Sequence, residues 1–263
     1  MSYNSLNYQT PQHLSNPHKG KRFLIIGSGT STKKLIPLKN QIRNMFDIVI
    51  GINLTTKEFE DQMDYHLIVE KNPQKMYEPM CNGVHKYRKD LIRILNWKAI
   101  QYFPKDIPIY KTNRHRFDGK ADIRRYEHNG HEGLLIGPPD SKGLSAGTSS
   151  MCALHLACIM GAKEVYLIGA DLMFKDEYDH FYPDHSYRKS TTQKANRSPI
   201  IKVTHNGNQH KTTEFFKNSA KFFDTVITNM CVPNGTDVYD FSDGLISKAI
   251  KVDVIEFFWR NKQ

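Results

Sequence analysis

Short apolar runs, separated by glycine-rich turns and longer mixed segments, set the rhythm of this chain. Arg22 to Ile26 (RFLII) is a short, continuous apolar run, which suits a strand buried on both faces. Phe46 to Ile52 (FDIVIGI) and Tyr65 to Val69 (YHLIV) repeat that signature, and Ala99 to Phe103, Ile107 to Tyr110 and Gly133 to Ile136 are shorter candidates. Leu144 to Asp171 (LSAGTSSMCALHLACIMGAKEVYLIGAD) reads as a Gly/Ser-rich turn, an apolar helix over Ser149 to Met160, a short loop and a buried strand over Glu164 to Ile168. Phe215 to Met230 has helical spacing, with Phe216, Ala220, Phe223 and Ile227 on one stripe. Val238 to Phe241 is a late strand, and Ile246 to Phe258 closes the fold.

This alternation predicts an α/β protein with a mainly parallel, doubly wound, Rossmann-like sheet. The polar segment Met173 to Gln209 is too long for an ordinary connection and is expected to be a flexible lid insertion. The first 20 residues are polar and lack the apolar region of a secretory signal, so they read as a disordered leader. A single nucleotide-binding domain is expected over residues 21–263, with its lid at about 173–209.

Composition narrows the setting. No apolar run approaches the roughly 20 residues that span a bilayer. Cys81, Cys152, Cys158 and Cys231 show no CxxC pairing, and the two in the apolar helix read as reduced core thiols. A soluble, cytoplasmic protein with no transmembrane segment is expected. The net charge of +10 concentrates between His85 and Arg125 and between Arg188 and Lys211, which suits phosphate-bearing or otherwise anionic partners as well as plain solubility. Zinc-finger spacing and RNA-binding aromatic motifs are absent.

In open α/β sheets ligands sit beyond the carboxyl ends of the strands. After the first strand those residues are Gly27, Ser28, Gly29 and Ser31, where glycine lets the backbone approach a phosphate or ribose. The run lacks the third glycine of a dinucleotide fingerprint and the Gly-Lys-Ser/Thr of a P-loop, which argues against ATP hydrolysis by that machinery. Asn53 and Asn72 follow the second and third strands, as base or ribose readers or as turn formers. Ser145, Gly147, Thr148, Ser149 and Ser150 precede the apolar helix, more small and hydroxylated residues than one N-cap needs, and form a candidate anion site. Gly169 and Asp171 end the next strand, with Asp171 placed to bind ribose or metal or to cap a turn.

GSGTS after the first strand, GIN after the second and GTSSMCALHLACIMGAKEVYLIGADL together resemble the bacterial sialyltransferases of the Campylobacter and Pasteurella type. The same features are similar to motility-accessory-factor and 6-hydroxymethylpterin pyrophosphokinase-like proteins. The resemblance covers roughly Lys21 to Ser242 and is most specific over residues 144–171. It implies a nucleotide-sugar-dependent glycosyltransferase in which Ser28, Gly29 and Ser31, Asn53, and Ser145 to Ser149 hold the nucleotide. It further implies a lid supplying Tyr178 and Tyr182 to the leaving phosphate and His210 as general base, with His180, His185 and His205 competing for that role.

An inverting transfer needs a base whose pKa lies near the working pH, which neutral histidine supplies. Tyrosine hydroxyls or basic side chains can stabilise the departing phosphate without a metal. The expected partners are therefore a nucleotide sugar as donor substrate and an acceptor glycan or modified nucleic acid, with no further cofactor and no metal ligands. A pyrophosphokinase would instead need Mg²⁺ held by carboxylates such as Asp171 or Glu70. A nucleic-acid-binding accessory protein is a third reading, from charge alone. The oligomeric state is not fixed by these features.

Overall fold

Eight short strands assemble side by side because none can satisfy its backbone alone. The computed structural model describes residues 18–68, 91–96, 109–112, 122–128, 131–137, 148–175, 181 and 199–261. In chain order its strands are β1 (Arg22–Ile26), β2 (Ile48–Ile52), β3 (Tyr65–Ile68), β4 (Ile92–Asn96), β5 (Ile109–Thr112), β6 (Asp122–His128), β7 (His131–Gly137) and β8 (Glu164–Ile168). A hairpin of β9 (Ile200–His205) and β10 (Asn208–Thr213) follows, and then β11 (Asp237–Asp240) and β12 (Ile250–Lys251). The main sheet runs β12-β11-β8-β1-β2-β3-β4-β5. Every neighbouring pair in it is parallel. β6 and β7 form a separate antiparallel pair.

The period of two in β1 divides its side chains between two cores. Phe23 and Ile25 join one cluster, while Leu24 and Ile26 join the other. On the first face lies the helix Ser149–Ile159, which packs against β1, β2 and β3. It is buried nearly all round, and a further helix, Glu214–Val226, joins the same core cluster through Ala220 and Phe223, continued by Ile227. The second face is covered by Thr30–Gln41 and by the helix Val254–Arg260, whose Val254 and Phe258 pack beside Leu35 and Ile42. We label the helices α1 (Ile42–Met45), α2 (Thr56–Phe59), α3 (Ser149–Ile159), α4 (Glu214–Val226) and α5 (Val254–Arg260).

Several expectations shift. Thr30–Gln41 winds as a 3₁₀ helix rather than an α-helix, consistent with Pro37 removing a donor from its interior. Residues 18–20, expected in the leader, belong to the folded body: the backbone N–H of His18 donates to Met160 O, and its ring is 2.8 Å from Tyr65 Oη. The segment expected as a lid carries β9 and the start of β10, and Phe174 pairs with Lys211. The candidate strand Ala99 to Phe103 lies outside the described residues. Cys152, Cys158 and Cys231 are buried free thiols, with the Sγ atoms of the latter two 3.1 Å apart. Among the described residues no helix is long and apolar enough to cross a membrane.

At the carboxyl end of β11, Asp240 is completely buried and Lys251 Nζ donates to it at 2.6 Å and to Gly244 O at 2.9 Å. Burial pushes the Asp240 carboxyl up, and Lys251 opposes that shift. Lys251→Met leaves the carboxyl buried without its cation, which should cost about 3 kcal/mol in urea unfolding at neutral pH. Because burial raises the carboxyl pKa and so favours the protonated folded form, the deficit should shrink as the pH is lowered. A loss below about 0.5 kcal/mol at neutral pH would show that the pair does not hold this corner.

Candidate functional site

β1 and β8 are adjacent, yet from them the chain order runs outward in opposite directions: β2 to β5 on one side, β11 and β12 on the other. Between such strands the following loops diverge and open a crevice at their carboxyl ends. Here the two loops are bound together first. Asp171 is 2% exposed, and its Oδ2 accepts from the Ser31 backbone N–H at 2.9 Å and from Thr30 Oγ1 at 3.0 Å. Ser31 Oγ donates to Oδ1 at 2.5 Å and itself accepts from Gly169 N–H at 2.9 Å. Gly29 N–H donates to Gly169 O at 2.9 Å.

The glycines make this approach possible. Gly169 sits at φ +73°, and a Cβ there would collide with Gly27 O and Thr32 Oγ1. A Cβ on Gly29 would come within 2.8 Å of the Asp171 carboxylate, and one on Gly27 would collide with Gly169 O. Space at these three positions is thus taken by the partner loop. Gly27 also faces the start of α3, since its Cβ would stand 3.0 Å from Ser150 Oγ. Thr148 is the N-cap of α3, its hydroxyl accepting from Met151 N–H at 3.4 Å, and Ser149 is the first helical residue. The partly positive helix end therefore abuts the tied loops.

Ser28 lies at the centre of this junction. It is 9% exposed, and its hydroxyl has no hydrogen-bond partner among the described residues. The Ser28 carbonyl accepts from Phe181 N–H at 2.9 Å, so the chain beyond β8 returns over the first loop, with the Phe181 ring tilted against Phe59. Sequence reading did not single out Phe181 or Thr30. Asn53 adopts φ +52° after β2, a left-handed geometry that asparagine tolerates well, and its carbonyl oxygen is 2.7 Å from Nε2 of the buried His66.

His210 stands in β10, the strand that leads directly into α4, and its ring centroid is 6.2 Å from that of His205. Burial, Lys251 and His210 together lower the His205 pKa, which favours its neutral form. The hairpin adjoins the tied loops: Thr212 Oγ1 donates to Leu172 O at 2.7 Å, one residue beyond Asp171. Asn72, Ser145, Gly147, Tyr178 and Tyr182 lie outside the described residues. An open polar groove lined by Arg22, Arg43, Asn44 and Lys163 lies at the amino ends of the central strands β1 and β8. Arg22 and Arg43 there are already paired, with Glu164 and Asp64.

Replacing Asp171 by Asn keeps the volume but substitutes a donor for one acceptor oxygen. The buried Ser31 and Thr30 donors cannot all be satisfied, and unfolding free energy should fall by about 2 kcal/mol in denaturant titration. Wild-type stability in that variant would mean that the carboxylate does not tie the loops. No protein-family model matches this chain, and comparison with curated proteins likewise finds no match.

Proposed function

We propose that the protein is a nucleotide-sugar-dependent glycosyltransferase, sialyltransferase-like, inverting and independent of metal, built on a doubly wound Rossmann-like sheet. The observation that carries this reading is the Ser28 hydroxyl, buried and unpartnered where the loops after β1 and β8 meet the N-terminus of α3. A buried hydroxyl without a partner costs roughly 1–3 kcal/mol, and a ligand oxygen supplied from the crevice would satisfy it. Helix polarity and small residues suit that ligand to be the phosphate or ribose of a nucleotide.

In this reading Ser28, with Thr148, Ser149 and the turn holding Ser145 and Gly147, contacts the nucleotide. Gly27, Gly29, Ser31, Gly169 and Asp171 position the floor, since their space and hydrogen-bonding capacity serve the loop junction. Asn53 and Asn72 border the base and ribose. Tyr178 and Tyr182 meet the leaving phosphate, and His210 removes the acceptor proton, with His205 beside it as the competitor. Donor and acceptor glycan are the partners, and the cytoplasm is the proposed compartment. A magnesium-dependent pyrophosphokinase would look to Asp171 as a ligand, but that carboxylate already accepts three hydrogen bonds from Thr30 and Ser31.

Ser28→Ala separates a ligand contact from a structural one. Removing an unsatisfied hydroxyl should leave the free protein as stable or about 1 kcal/mol more stable. Calorimetric titration should meanwhile show nucleotide affinity down by about fivefold, the loss of one neutral hydrogen bond. Unchanged affinity across a panel of nucleotides and nucleotide sugars, with and without Mg²⁺, would remove Ser28 from the site.

His210→Ala should lower turnover by roughly 10²–10⁴-fold with donor affinity nearly unchanged. Near-normal turnover would exclude His210. The same loss in His205→Ala alone would move the base to His205, whose lowered pKa should place the acid limb of the rate profile below about pH 6.5.

A further inference from the structure

The β9–β10 hairpin presents charge that the loop junction does not use. Its strands are joined by Asn206-Gly207, at φ +49° and +77°, the left-handed pair that a tight two-residue hairpin turn requires. One face turns inward, where Val203 packs against the first core cluster and His205 and His210 are half-buried. On the outward face Lys202 stands directly opposite Lys211. Like charges in register across an antiparallel pair repel and weaken it.

Among the described residues nothing relieves that repulsion. Neither lysine has an acidic partner among the described residues. Glu214 is held by Lys217, Asp240 by Lys251, and Asp224 by the backbone N–H groups of Ser247 and Lys248. Phe174 N–H donates to Lys211 O at 2.9 Å, which places the exposed Lys175 alongside. On the inner face burial, Lys251 and His210 lower the His205 pKa, with Asp224 opposing them. Ile200, on the same face of β9 as Lys202, is 55% exposed, and Phe215, two residues after the end of β10, is 49% exposed. Two cations on a paired ribbon, with an exposed aliphatic side chain on the same face and an exposed aromatic ring just after it in the chain, match a ligand with regularly spaced anionic groups and apolar ring faces.

We propose that this outward face binds an anionic glycan acceptor, its carboxylate or phosphate groups bridging Lys202 and Lys211 and a sugar ring resting on Phe215 and Ile200. The proposal rests on the glycosyltransferase reading for the word acceptor, while the binding surface itself needs no turnover. The ribbon suits the role because Thr212 and Lys211 fasten it to Leu172 and Phe174, just beyond Asp171.

The test is fluorescence anisotropy with labelled alginate oligosaccharide (carboxylate), phosphomannan oligosaccharide (phosphate), neutral dextran and oligothymidylate, without donor and across a salt series. At least one anionic glycan should bind far more tightly than dextran, and the tighter of the two identifies the anionic group. Lys202→Gln/Lys211→Gln should weaken that binding about tenfold at low salt and flatten the salt dependence by about two ions, one per lysine. Lys19→Gln/Lys163→Gln, with the same loss of charge before the amino ends of β1 and β8, should bind like wild type. The hairpin variant should melt no lower than wild type because repulsion has been removed; should it melt lower, Lys202→Arg/Lys211→Arg must retain wild-type binding. Glycan binding no better than dextran, equal losses in both Gln variants, or tighter binding of oligothymidylate than of either glycan would overturn the proposal. Turnover of nucleotide sugars is scored separately, so this surface can fail while the glycosyltransferase reading stands, and the reverse.

Discussion

One buried carboxylate holds the junction on which the functional region depends. Asp171 takes three hydrogen bonds from the loop after β1, while its own chain follows β8, so two loops that sheet topology would let diverge are bound into one floor. Away from water such a network is strong when complete and costly when any member is missing. The chain meets that demand with glycine wherever the two backbones touch and with hydroxyls where donors are needed. Ser31 does both jobs, passing a hydrogen bond from Gly169 through its own hydroxyl to Asp171. Leu245 N–H donates to the Asp171 carbonyl at 3.1 Å, which extends the junction to the loop braced by Lys251.

The rest of the architecture serves to hold that point still. A strand buried on both faces has no freedom to tilt, and β1 is fixed by α3 on one side and by Thr30–Gln41 and α5 on the other. α3 shares its core cluster with α4, and its N-terminus meets the loops beside Gly27. Against this background Ser28 is the exception, a buried hydroxyl left without a partner beside residues whose polar groups are satisfied. A junction that satisfies the groups around Asp171 and leaves the Ser28 hydroxyl unpaired has a place for something from outside.

Much of this was legible from residue pattern. β1 and β8 occupy the predicted spans, since an apolar run of five between turns has few alternatives, and α3 begins at Ser149 as its capping residues indicate. β4, β6 and the hairpin were not anticipated. β9 alternates Ile201, Val203 and His205 with Lys202 and Thr204, a half-buried strand pattern that is easily lost among polar neighbours. The candidate residues of the two loops were visible as a set, but their division of labour was not. Sequence alone cannot show that Asp171 faces Ser31 from 140 residues away, so a loop-tying carboxylate looks the same as a ribose or metal ligand. Only the coordinates separate the glycines that make room for the partner loop from the serine whose hydroxyl is unmet.

The most direct test of this account is a crystal structure of the protein with whichever nucleotide or nucleotide sugar binds it most tightly. The account predicts a phosphate or ribose oxygen within about 3 Å of Ser28 Oγ, lying over the Asp171-tied loops. A nucleotide bound elsewhere, with the Ser28 hydroxyl still unpartnered in the complex, would contradict it.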